Sequence, residues 1–160
     1  NTNLTRHYAH AVHGKRAMDA TPINTPAGTT VLSSIRLNVS LVYTTYQGGI
    51  TAQRFCEYMG KQLIPSLEKD DVVIMDNMRS HHVKIVTELL DKAGISYLYL
   101  PPYSPDLNLI EKMWSKMKSF LRKRKVRVAA ELPEAVKAAL ETISTNDCKG
   151  WFHASGICVN

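Results

Sequence analysis

The chain has 160 residues and a mass of 17.9 kDa, enough for one domain with a real core. Its 44% hydrophobic and 21% charged residues are ordinary for a folded chain. No apolar run approaches the ~18 residues of a membrane span, and the N-terminal "NTNLTRHYAH" shows no signal peptide and no apolar targeting region.

Three cysteines, Cys56, Cys148 and Cys158, show no CxxC spacing, which speaks against zinc or a disulfide framework and fits a reducing cytoplasm. The net charge of +6 is unevenly placed, with eight Lys or Arg between Lys112 and Arg127. Such a block is either a solvated helix face or a phosphate-contacting surface.

Residues 1–28 are turn-rich, interrupted by Gly14, Pro22, Asn24, Pro26 and Gly28. "TTVLSSIRLN" (29–38) and "SLVYTTYQG" (40–48) read as two strands of a hairpin joined by a weak turn. Residues 51–67 place Phe55, Met59 and Leu63 at helical spacing. Val72 to Met75 form an unbroken apolar run, the pattern of a strand covered on both faces, and end in Asp76. Residues 80–94 carry Val83, Val86, Leu89 and Leu90 on one side of a helix that Gly94 terminates. "ISYLYL" (95–100) is another strand, closed by Pro101 and Pro102. Strand, helix and strand imply a right-handed parallel crossover. Both strands then end on one edge of the sheet, where open α/β folds place their chemistry.

Asn108 stands where a helix N-cap is expected, with Glu111 three residues on, at capping-box spacing. Ile110, Met113, Trp114, Met117, Phe120 and Leu121 form the apolar stripe of that helix. Glu111 is therefore either a capping glutamate or a functional acid. Asp76, at a strand end on the same sheet edge, shifts the balance. Two converging carboxylates repel unless protonated or bridged by a cation, and oxygen donors without Cys favour Mg²⁺ or Mn²⁺. Paired ions of this kind suit phosphoryl transfer.

"VVIMDNMRSHH" followed by "YLYLPPYSPDLNLIE" resembles the catalytic core of mariner-like DDE transposases, in particular their bacterial insertion-sequence branch. The Ser-Pro-Asp-Leu-Asn run before the glutamate is the most specific part, and the likeness extends from about residue 1 to at least Phe152. It implies an RNase H-like α/β fold, a mixed sheet flanked by helices, and a triad of two Asp with a third Asp or Glu. Asp76 matches the second acid and Glu111 the third, with thirty-four residues between them as in relatives that use Glu.

The resemblance also implies cleavage of double-stranded DNA at transposon ends and its transfer to target DNA with Mg²⁺ or Mn²⁺. Asn77, His81 and Asn108 would support the site, while Lys112, Lys116, Arg122, Lys123 and Arg124 would contact DNA phosphates. The intact protein would be a homodimer in the bacterial cytoplasm, associated with the nucleoid.

Two departures stand out. Leu109 replaces the family's usual Pro. The strand bearing the first Asp, and the helix-turn-helix DNA-binding domain before it, would precede Asn1. Residues 1–160 thus read as a partial catalytic domain lacking its first strand, inactive on its own. Asp19, in a Pro/Asn/Gly-rich stretch, is not promoted to the missing position. Ser104 reads as a turn residue, and Tyr103 and His82 are left unassigned. One rival reading is an inactive remnant that only holds DNA or a partner chain. Another is an unrelated metallohydrolase using Asp76, His81 and His82.

Overall fold

A computed structural model describes residues 10–18, 28–78, 80–126 and 128–156. Residues 1–8, Asp19, Pro22, Asn24, Pro26, Arg127 and Cys158 lie outside the described residues, with whatever the sequence suggested for them. The order of elements is β1 (Thr29–Ile35), β2 (Leu41–Gln47), α1 (Ala52–Tyr58), β3 (Val72–Met75), α2 (Lys84–Ala93), β4 (Ser96–Tyr99), α3 (Ile110–Arg124), α4 (Leu132–Leu140) and α5 (Thr145–Ala154). A π turn (Met59–Leu63) and a 3₁₀ turn (Ile64–Ser66) prolong α1, so the helix expected over 51–67 is present but changes pitch. No helix among the described residues is long and apolar enough to cross a membrane.

β1 and β2 pair antiparallel, with Ile35 opposite Leu41. Their connection is held locally: Asn38 Oδ1 accepts from the Ser40 N–H at 2.9 Å, and Val39 adopts a left-handed φ of 67°. A β-branched residue pays for that conformation in steric strain. Its side chain packs against the α3–α5 core, which holds it there. β3 and β4 pair parallel, Val72 opposite Ser96 and Met75 opposite Tyr99, as a crossover through α2 requires. Gly94 ends α2 at φ 68°, the left-handed stop its position suggested.

The hairpin gives one face to each of two cores. Val31, Ile35, Leu41 and Tyr43 pack against a cluster built from α3, α4 and α5, while Leu32 and Val42 pack against one built from α1, α2, β3 and β4. The period-2 alternation of a strand separates these two sets.

Among the described residues the two strand pairs remain separate two-stranded sheets. β3 is accordingly not covered on both faces. Val73 and Met75 face the helices, whereas Val72 is 57% exposed and Ile74 44%, next to Leu98 at 55%. The apolar run is explained by one buried face and by the side of β3 that turns into a large groove.

Two ion pairs fasten the layers. Arg36, after β1, makes a bidentate pair with Asp71, before β3. The Glu68 N–H, and then the Arg36 guanidinium, hold the Asp71 carboxyl below the usual carboxylate range. Lys116 on α3 pairs with Asp147 at 2.5 Å and donates to the Thr142 carbonyl at 3.0 Å. Asp147 also closes a capping box with Ser144 at the start of α5.

The Lys116 ammonium, with the Ser144 hydroxyl and N–H, lowers Asp147 to about 2. A folded value below the ordinary 3.8 means stability that is present above about pH 4 and lost as pH falls toward 2. Lys116→Met should therefore lower Tm at neutral pH and flatten its loss between about pH 4 and pH 2. A curve of Tm against pH that superimposes on the parent's would show the pair to be idle.

Candidate functional site

Asp76 leaves the C-terminal end of β3, and β4 ends beside it, since the Leu100 N–H donates to the Met75 carbonyl at 2.8 Å. One carboxylate oxygen of Asp76, Oδ1, accepts from the Met78 N–H at 3.1 Å and meets His81 Nδ1 at 2.7 Å. The other oxygen, Oδ2, has no protein partner among the described residues.

The two histidines of the loop after β3 are fixed by aromatic rings. His81 stacks on Phe55 of α1 with centroids 4.2 Å apart, and His82 stacks on Tyr99 at 4.1 Å. Tyr99 also donates its hydroxyl to the His81 carbonyl at 2.8 Å, and His82 meets the Asn77 side-chain oxygen. Asn77 thus orders the loop through His82 rather than by bonding Asp76. Phe55 and Tyr99 belong to this assembly, although in sequence Phe55 showed only helical spacing and Tyr99 only a place in a strand. No local motif distinguishes such a ring from any other core aromatic.

Glu111 does not form the expected capping box. Successive turns, Leu107 N–H to Ser104 O and Asn108 N–H to Pro105 O, bring the chain into α3 already coiled. The capping position falls on Leu109 in helical conformation, with no side-chain bond, while Asn108 contributes its backbone carbonyl to the Glu111 N–H at 3.0 Å. The Glu111 carboxylate is exposed and has no protein partner among the described residues. A capping role would have bound it to the backbone, so this side chain is available.

Asp76, His81, Asn108 and Glu111 line one cavity of about 920 Å³. Its walls include Thr30 to Ile35 of β1 with Arg36 beyond it, and all of β3 with Asp71 before it and Asp76 after it; Trp114 and Phe152 form part of the remainder. The Arg36–Asp71 pair closes one end and ties the finish of β1 to the start of β3, so the two strands run in opposite senses along it. Asp76, just past the C-terminal end of β3, stands toward the other end.

Among the described residues no group of three or more His, Cys, Asp or Glu could hold a metal ion. Asp76, His81 and His82 therefore do not make the three-donor set of a metallohydrolase. Asp76 and Glu111, whose oxygens include some without a partner among the described residues, are hard donors of the kind taken by Mg²⁺ or Mn²⁺, ions that need few protein ligands and retain waters.

Of the basic side chains, Lys112, Lys123 and Arg124 are exposed and Arg122 is half-buried. Lys112, Arg122 and Lys123 make no hydrogen bond or ion pair among the described residues, and Arg124 lies over the Phe120 ring at 5.8 Å. Lys116 stands apart, its ammonium committed to Asp147 and Thr142.

A family model described as DDE superfamily endonuclease matches residues 1–133. No curated protein matches the chain.

Proposed function

The chain belongs to the DDE superfamily of endonucleases, and we propose that it is the catalytic domain of a mariner-like transposase of the bacterial insertion-sequence branch. In this reading it cuts double-stranded DNA at transposon ends and joins the freed 3′-hydroxyl to target DNA. The observation that carries the proposal is the pair of carboxylates, Asp76 and Glu111, lining one groove with oxygens that have no protein partner among the described residues.

Asp76 would hold Mg²⁺ or Mn²⁺ through Oδ2, its other oxygen being fixed by Met78 and His81. Glu111 would hold it from the first turn of α3. Such an ion, when bound, neutralises phosphate charge and favours ionisation of the attacking oxygen. His81 orients the Asp76 carboxylate, and Asn77 steadies the same loop through His82.

An RNase H-like sheet also requires a strand between β1 and β3, and the groove supports that arrangement. A strand antiparallel to β1 would run parallel to β3 and finish beside Asp76. An acid at its end would complete the triad. We assign this strand to polypeptide outside the described residues. The test is release of a labelled strand from a duplex in Mg²⁺ or Mn²⁺ by the full-length protein. Absence of metal-dependent cleavage there would favour a remnant that only binds.

Phosphate neutralisation falls to Lys112, Arg122, Lys123 and Arg124. Changing Arg122, Lys123 and Arg124 together to Gln should weaken duplex binding. It should also reduce the slope of log affinity against log salt by about 0.9 for each phosphate no longer neutralised. Lys116→Gln should leave that slope unaltered. An unchanged slope in the triple variant would make the basic block a solvated helix face.

A further inference from the structure

We infer that Tyr103 is a base-stacking residue, presenting its ring to an unpaired DNA base beside the Asp76–Glu111 pair. The inference rests on the DNA-cutting reading above and adds to it a role for a residue outside the carboxylate site.

Tyr103 is fully exposed, so its ring contributes nothing to the core of this domain. Its backbone nevertheless stands at a left-handed φ of 56°, a conformation that bulky side chains avoid. Backbone strain of this sort concentrates at functional sites. The loop does not need the ring to hold its shape. Pro101, Pro102 and Pro105 restrict the chain on both sides. Ser104 donates its hydroxyl to the Pro102 carbonyl at 3.4 Å, and the turns from Ser104 onward run directly into α3. A rigid loop thus holds an aromatic side chain out in solvent.

Its place in the fold gives that exposure a use. Leu100 is bonded to Met75, next to Asp76, and Tyr103 lies three residues further on. Three residues span at most about 11 Å, so the Tyr103 backbone stays within a few nucleotides of any phosphate held by Asp76. An aromatic face next to a phosphate-binding surface is the device by which proteins hold bases without reading sequence. Bases inside a duplex are already stacked, so the ring would select frayed or single-stranded positions.

The test, made on the full-length protein as parent, compares binding of a blunt duplex with binding of the same duplex carrying a short single-stranded overhang that contains 2-aminopurine. The parent protein should prefer the overhang and change the fluorescence of the 2-aminopurine. Tyr103→Ala should lose about tenfold in affinity for the overhang, with blunt-duplex affinity and salt slope unchanged. Tyr103→Phe should retain the preference. Equal overhang binding by parent and Tyr103→Ala would overturn the inference and leave the DNA-cutting reading standing. Failure of the parent to bind either DNA would overturn both.

Discussion

Asp76→Asn and Glu111→Gln are each expected to abolish metal-dependent DNA cleavage, by about three orders of magnitude or more, while leaving the domain folded. A metal-holding carboxylate contributes several kcal/mol to the transition state, and each 1.36 kcal/mol is about tenfold in rate. The fold should tolerate both changes for different reasons. In Asp76→Asn the amide oxygen can still accept from the Met78 N–H, as Oδ1 does now at 3.1 Å. What disappears is the free Oδ2, replaced by an amide nitrogen that cannot ligate a cation. Glu111 is exposed, caps nothing and has no protein partner among the described residues, so Gln there costs little stability. Strand release in Mg²⁺ or Mn²⁺, read beside thermal unfolding, checks both. Retained cutting by either variant would remove that residue from the site.

Filling the groove should have the second large effect. Both β1 and β3 present an edge to a cavity of about 920 Å³ without an intervening strand among the described residues. Exposed edges invite association, and each backbone group buried without a partner costs roughly 1–3 kcal/mol. A domain whose groove is left unfilled is therefore expected to self-associate, to unfold over a broad range and to cut no DNA. Supplying such a strand by N-terminal extension should give a monodisperse or dimeric protein and raise Tm by about 10 °C or more. A gain of a few kcal/mol has that effect at this size. Light scattering and calorimetry measure both. A monomeric, sharply unfolding chain that extension does not alter would refute the assignment of the groove to a strand.

The centre of the chain was the most legible in sequence. Val72–Met75, the Val86/Leu90 face and Gly94 each carry a local cause, and the strand–helix–strand unit appears where those causes put it. The same logic placed Asp76 at a strand end, a matter of backbone order. Other features depend on what lies across the fold. Asn108 has the chemistry of a cap, but the turns from Ser104 deliver it already coiled, so its side chain is out of position. Lys116 is indistinguishable in sequence from its basic neighbours until Asp147, thirty-one residues later, is folded against it. A missed signal that was local is Ser144-x-x-Asp147, a capping signature that announces α5.

The double duty of the β1–β2 hairpin also bears on how the chain acquires its structure. Each core has a majority contributed by neighbours in sequence: α3, α4 and α5 for one, α1 through β4 for the other. Pairings close in sequence form quickly, and distant ones must first meet the cost of closing a loop. The hairpin supplies the distant ones, reaching from Val31 to the α3–α5 cluster and from Leu32 to the other. Two sequence-local halves can thus assemble early, and docking of the hairpin between them is the step that makes the domain fold as one.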